Sequence, residues 1–158
     1  MNEIVLWRFF HFVAAALWLG GAWSLGGEAK QALQRADSGG EILLPRIGKN
    51  VKFTLLGILV SLATGLGLIF AKGGFGAFKG REMFVHGPIG LVVVALVVHL
   101  LVVMPAWKQV REGTEAGGAE AQQALSAAKR MAMGAGIGQL MWTLALFLMI
   151  FSVYRTIS

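Results

Sequence analysis

Four long apolar runs, each free of charged residues, dominate the pattern of hydrophobic and polar positions along the chain. They cover residues 9–27, 53–71, 83–107 and 131–154. A bilayer core about 30 Å thick needs about 20 residues in helical conformation, so each run is long enough to cross a membrane. The pattern predicts a single all-α domain over residues 1–158, an integral membrane antiparallel four-helix bundle. The spans are expected at about 4–26, 52–71, 84–107 and 131–154.

The connections between the runs are short and favour helix extensions over separate domains. Residues 28–36 are rich in helix-forming side chains, and residues 119–130 are expected to run straight into the fourth span. Short connections make successive helices antiparallel neighbours. A cleaved signal peptide is the alternative interpretation of the first run. It is less favoured because residues 1–3 carry no positive charge and the run is longer than a typical signal core.

Composition and charge narrow the class of protein. Hydrophobic residues make up 56% of the chain and charged residues 14%, and there is no cysteine. The absence of cysteine excludes disulfides, iron–sulfur clusters and thiolate metal sites. The net charge of +6 fits loops beside anionic lipid better than nucleic acid binding. The two longer connections carry more Lys and Arg than the opposite side, which predicts that they are cytoplasmic and that both termini lie outside a bacterial inner membrane.

Three histidines lie in or beside these runs, and they are the main candidates for function. Ionisable side chains at membrane depth are costly and usually face the interior of a bundle. His11 is expected about 12 Å along the first helix, and His99 about 18 Å along the third if that helix begins near Gly87, because Pro88 suits a first helical position. The two imidazoles would then differ by about 6 Å in depth, close enough to hold one tilted macrocycle between them.

Other side chains fit a bound macrocycle at these positions. Trp18 is deep enough to pack on a ligand, and Arg8 lies one turn outside His11, where it could bind a haem propionate. Arg81 is a second candidate for the propionates. His86 could replace either histidine as a ligand. Each histidine also has a purely structural interpretation, as a solvated residue at the interface or as a hydrogen-bonded residue of the core.

A two-haem arrangement is a further alternative for the third span. His86 and His99 are thirteen residues apart, a rise of about 20 Å, which suits two stacked haems in length. At about 100° per residue, however, they point about 140° apart around the helix. No second helix carries a matching pair, so one haem is favoured.

Short motifs on three spans resemble a known family. In residues 6–25 (LWRFFHFVAAALWLGGAWSL), His11 is followed seven residues later by Trp18 and then by glycine. This segment resembles the first helix of the small bacterial membrane proteins of the CopD-like and HemJ-like group. The thirteen-residue spacing of the two histidines in the third span is similar to the HemJ-like pattern. The second span ends in a Thr-Gly-Leu triplet (residues 64–66) like that of CopD-like domains.

The resemblance implies haem b bound by membrane histidines. In the HemJ-like branch it also implies oxidation of protoporphyrinogen, and in the CopD-like branch a link to copper handling. HemJ-like proteins carry a lysine two residues after the first histidine of the third helix, where this chain has Pro88. The resemblance therefore favours the haem over the oxidase activity, and whether the protein is an enzyme is left open.

Three hypotheses follow. The leading one is a membrane b-type cytochrome-like protein whose haem is ligated by His11 and His99 and exchanges electrons with a quinone or a redox partner protein. The second is a copper-binding or copper-transporting protein, because Met141 and Met149 are expected at depths comparable to those of His99 and His11, and thioether with imidazole suits copper(I). The third is a structural subunit of a larger complex or a homo-oligomer. The sequence has no Walker loop, zinc-protease motif or serine triad.

Overall fold

Nearly all of the residues that the structure describes are helical. The structure is a computed structural model that describes residues 3–79 and 82–154. Its long helices are α1 (Glu3–Trp23), α2 (Leu25–Gln34), α3 (Leu44–Ala71), α4 (Glu82–Val98), α5 (Met104–Ala116) and α6 (Gly118–Tyr154). Short 3-10 turns at Ala36–Ser38, Gly40–Leu43 and Phe75–Phe78 complete the connections. The described residues contain no strand, and the predicted all-α four-helix bundle is confirmed.

The four apolar runs lie on helices that could cross a bilayer. Glu3–Gln34, Gly40–Ala71, Met83–Ala116 and Gly118–Phe151 are each 32 to 34 residues long and apolar enough to span. Large apolar side chains such as Phe12, Phe147 and Ile150 are exposed on the outside of the bundle. That outer surface suits contact with lipid chains, as in a multi-pass membrane protein.

The longer connections form a helical extension at one end of the bundle, the head, which consists of α2, α5, the start of α3 and the first half of α6. The predicted helix over residues 28–36 is present as α2, and residues 119–130 run into the last span within the single helix α6. Alanines from α2, α5 and α6 pack here around larger side chains that are fully buried, among them Leu25, Ile47, Val110 and Met131. Small residues allow such close approach of helices. This end of the molecule is therefore tightly filled.

The third span departs from the helix start predicted from Pro88. Helix α4 begins at Glu82, six residues before the proline, and Pro88 is buried inside it. Since proline costs only the hydrogen bond of its missing N–H and a local clash, neighbouring helices can accommodate it within a membrane span. Further along, residues His99–Val103 form one turn of π-helix, which ends two residues before Pro105. Such turns are rare and occur often at functional sites.

Helices α1 and α3 form the closest antiparallel pair. A Cβ atom at Gly57 would lie 2.5 Å from the backbone nitrogen of Trp18, and one at Gly21 would lie 2.9 Å from the backbone oxygen of Asn50. Both glycines therefore serve close packing, as small residues do in membrane bundles. Helix α6 packs mainly on α4, α5 and α2, and much less on α1. The bundle is consequently open between α1, α4 and α6 at the end opposite the head.

Candidate functional site

Two cavities occupy the open end of the bundle, and His11 lines both. The first, about 480 Å³, lies between α1, α3 and α4, and the second, about 500 Å³, lies mainly between α1 and α6. Both volumes are within the usual range of small-molecule sites, about 300–1,000 Å³. The residues common to the two linings are His11, Phe12, Ser61, Val92 and Met149. Because they share these walls, the two cavities form one candidate site with His11 at its centre.

A hydrogen bond to α3 fixes the imidazole of His11. Its Nδ1 lies 2.9 Å from Oγ1 of Thr64, and that hydroxyl lies 2.6 Å from the backbone oxygen of Val60. The Thr64 hydroxyl lies near two backbone oxygens, those of Val60 (2.6 Å) and Ser61 (3.3 Å), and we assign its one proton to the shorter contact, so that toward His11 its oxygen accepts. With this assignment Nδ1 of the neutral imidazole carries the proton and Nε2 keeps a lone pair. A histidine that binds a metal through Nε2 requires this tautomer.

Small residues leave room around this imidazole. His11 is half-buried, and a Cβ atom at Gly65 would lie 3.5 Å from its Cε1. Gly65 thus opens space on the ring side of the cavity, whereas Gly57 and Gly134 pack directly on neighbouring helices. The sequence pattern of small residues in the spans therefore combines two roles: helix packing toward the head and space beside His11 at the open end.

The mouth of the first cavity is positively charged. Arg8 and Lys72 are exposed and both contribute to its lining, while the remaining wall is mostly apolar, with Phe78 and Phe84 among its aromatic members. Among the described residues that line the cavity there is no Asp or Glu. An apolar interior below a cationic rim suits an amphiphilic ligand with an anionic end.

The second cavity holds two buried polar groups that lack partners. Trp18 is 2% exposed and Ser61 4% exposed, and both line this cavity. Neither Nε1 of Trp18 nor Oγ of Ser61 makes a hydrogen bond within the part of the chain that the structure describes. Trp18 thus lies where the sequence placed it, deep beside a ligand-sized space. Such buried, unsatisfied groups are uncommon in native proteins and call for an explanation.

His99 lies elsewhere in the bundle. It is 3% exposed, its ring interacts with the backbone of Val51, and it is absent from the linings of both cavities. Val51, beside His99, and Thr64, which contacts His11, both lie on α3. They are thirteen residues apart, which is a rise of about 20 Å along that helix. The structure therefore does not bring His11 and His99 together at similar depth. The reason is that α4 begins before Pro88 and the histidines meet different levels of α3, so the expected pair on either side of one macrocycle is not formed.

His86 lies outside both cavities. His86 is exposed, and its ring stacks on Phe75, with centroids 5.3 Å apart and planes inclined by 13°. It lines neither of the two cavities. Its placement matches the structural interpretation of a solvated interfacial histidine. Arg81 lies outside the described residues.

The side chains that could act as metal ligands limit which metals could bind. Within the described residues no group of three or more His, Cys, Asp and Glu side chains could hold a metal ion. Met149 lines both cavities together with His11, as expected from their similar predicted depth. One imidazole and one thioether are few ligands for a bare ion, but a haem iron needs only one or two from the protein.

Sequence reasoning missed two residues of the site, Ser61 and Lys72, as ligand-binding candidates. Ser61, Gly65, Leu68 and Lys72 recur at intervals of three or four residues on α3, and all four line the first cavity. The helical spacing from Gly65 to Lys72 (two turns) was the available signal. It was hidden because Lys72 also ends an apolar span, where a lysine is ordinarily an interfacial residue.

No protein-family model, curated protein or solved structure matches this chain. The resemblance to CopD-like and HemJ-like proteins therefore stays a prediction from short motifs.

Proposed function

We propose that this protein is a membrane haem protein of the b-type cytochrome kind, in which His11 would hold the haem iron. The observation that carries the proposal is the position of His11, a membrane histidine that lines both cavities while its Nδ1 is held by Thr64. His99 also has a ring nitrogen, Nε2, without a partner in the described residues, but it lines neither cavity, so the position beside a ligand-sized space is what singles out His11. With Nδ1 held by Thr64, Nε2 of His11 would be the nitrogen that binds a ligand.

The surroundings of His11 fit a haem. The first cavity has the volume of a ligand site and a largely apolar wall, which suits the porphyrin. Arg8 and Lys72 at its mouth are suited to the two propionates, and Arg8 is in the position relative to His11 that the sequence predicts. Met149 lines both cavities together with His11, so its thioether would be available as a second protein ligand, and cytochromes use His with Met in this way.

The chain's own residues have separate tasks in this proposal. Thr64 holds the tautomer and orientation of His11, as outer hydrogen-bond partners of metal ligands commonly do. The apolar wall excludes water and so raises the energetic weight of nearby charges. The cationic mouth orients the anionic end of the ligand toward the membrane surface. When bound, a haem supplies one-electron chemistry, and electron transfer within the membrane is the function that this arrangement supports best.

The test is the absorption spectrum of protein purified in mild detergent after expression with ample haem. The proposal predicts a Soret band and reduced α and β bands in the wild-type protein. It also predicts their loss in His11→Ala and their retention in His86→Ala, the control at an exposed histidine that lines neither cavity. Wild-type protein without these bands, or a His11→Ala variant with normal bands, would contradict the proposal.

A copper site is the second candidate, favoured by one observation. His11 and Met149 line the same two cavities, and imidazole with thioether suits copper(I). Metal analysis of the purified protein separates the two candidates. Stoichiometric copper without iron, lost in both His11→Ala and Met149→Leu, would support copper, whereas iron in the form of haem would support the first proposal.

A further inference from the structure

The second cavity has features that point to a ligand of its own. It lies mainly between α1 and α6, two helices that pack only loosely on each other. Alanines 15, 16 and 145 keep the space between the two helices open, and Trp142 contributes a large aromatic wall. Its lining contains no Asp, Glu, Lys or Arg among the described residues. A flat, uncharged molecule is the kind of ligand that fits such a slot.

Two buried hydrogen-bond donors belong to residues that line this apolar space. The indole Nε1–H of Trp18 can only donate, and the hydroxyl of Ser61 has one proton to give. Both atoms are buried and lack a partner in the described part of the chain, although both residues line the cavity. Leaving such a group unsatisfied costs about 1–3 kcal/mol. A ligand that brings acceptor oxygens into the cavity would remove this cost.

The cavity is accessible from the lipid phase. Phe12 and Ile150 both line it and are 70% and 59% exposed on the outer face of the bundle. That outer face lies within the spans that suit the hydrocarbon core. A ligand that enters between α1 and α6 therefore comes from the bilayer and must itself be soluble in lipid.

We infer that the second cavity binds a membrane quinone, with a ring carbonyl accepting hydrogen bonds from Trp18 and Ser61. A quinone head group is flat, uncharged and soluble in lipid, and its polar atoms are carbonyl oxygens, which accept but do not donate. The ring suits packing against Trp142, since aromatic faces favour stacked or edge-to-face contacts. The choice of a redox-active ligand rests on the proposed haem function, because His11 and Met149 border both cavities.

The test uses decylubiquinone and the purified protein in lipid nanodiscs. Titration should quench tryptophan fluorescence saturably, and the infrared carbonyl band of the bound quinone should lie at lower frequency than in lipid. In Ser61→Ala the dissociation constant should rise about two- to tenfold, the effect of one lost hydrogen bond. The matched control is Thr143→Val, which removes an exposed hydroxyl on α6 that bonds only its own helix.

A second variant keeps the inference open to refutation if Ser61→Ala folds poorly. Trp18→Phe removes the N–H group and keeps an aromatic ring, and the carbonyl band should return toward its frequency in lipid. Trp23→Phe, at an indole that is 77% exposed, should leave the band unchanged. Absence of saturable quenching in the wild type, or an unchanged carbonyl band in both Ser61→Ala and Trp18→Phe, would overturn the inference and indicate that water satisfies these donors.

The haem spectrum of the same samples separates the two proposals. Haem bands without quinone binding would overturn the quinone site and leave the haem proposal standing. Quinone binding without haem bands would overturn the haem proposal and leave the quinone site standing.

Discussion

Substitution of Thr64 by valine tests the assignment of the His11 tautomer. Valine has nearly the shape of threonine but no hydroxyl, and Thr64 is buried, so the change removes one polar atom with little change in packing. His11 Nδ1 would then lose the acceptor that lies 2.9 Å away in the wild-type protein. The ring would keep only its interaction with the backbone of Ser61 and would more readily adopt the other tautomer, in which Nε2 carries the proton and cannot bind iron.

The size of the effect follows from two independent considerations. Loss of an outer hydrogen-bond partner of a metal-binding histidine typically lowers metal affinity by about 10- to 100-fold. A buried donor left without an acceptor costs about 1–3 kcal/mol, which corresponds to a similar range of affinity. We therefore expect haem to bind Thr64→Val about 10- to 100-fold more weakly than it binds the wild-type protein.

The assay is titration of haem into haem-depleted protein in detergent micelles, followed at the Soret maximum. Thr143→Val is the matched control, because Thr143 donates to the carbonyl of Gln139 at 2.9 Å in the same local pattern but is exposed on α6. Affinity of Thr64→Val within twofold of the wild-type value, in a protein that loses haem on His11→Ala, would refute the assigned role of the hydroxyl.

Three further outcomes are expected. The double variant Arg8→Gln with Lys72→Gln should bind haem up to about 25-fold more weakly, since exposed charge pairs contribute at most about fivefold each. The control Lys129→Gln, at the head, should not change the affinity. If the double variant and the wild-type protein bind haem equally well at low salt, the assignment of these two residues to the propionates is wrong. His99→Phe should keep the haem spectrum, because His99 lines neither cavity, and loss of the Soret band from a folded protein would restore His99 as a ligand. Gly57→Ala should lower the free energy of unfolding by about 1–3 kcal/mol, because the added methyl group clashes with Trp18. Gly20 has open space around it, so Gly20→Ala should be neutral or slightly stabilising. Equal midpoints of thermal denaturation for the two variants in detergent would contradict the packing argument.

The sequence predicted most of the fold because the determining signals are local. Four charge-free runs of sufficient length require helices in a bilayer, and the helix-forming connections after residues 27 and 118 continue them. Pro88 misled the prediction of where α4 begins. A proline disfavours a helix interior in isolation, but packing against neighbouring helices outweighed that preference. Local propensity is decisive only where tertiary contacts leave the choice open.

The site was predicted in part. The sequence predicted Trp18 deep in the bundle and Arg8 one turn outside His11, and these three residues each line one or both of the cavities, while their binding roles stay predictions. The depth of His99 relative to His11 was predicted less well, because depth estimates depend on where each helix starts. An error of a few residues in α4, together with the π-helical turn at His99, changes which level of α3 a histidine meets. Unpartnered atoms such as Oγ of Ser61 depend on tertiary packing alone, and no sequence pattern reveals them.

Rescue of a glycine variant by free imidazole tests the central claim most directly. His11→Gly removes the proposed ligand and leaves space for a small molecule in the cavity that His11 lines. The measurement is the reduced-minus-oxidised absorption spectrum of this variant, reconstituted with haem, with and without added imidazole. The account predicts that the low-spin bands of the wild-type protein vanish in the variant and return with imidazole. Wild-type bands in His11→Gly without imidazole would contradict it.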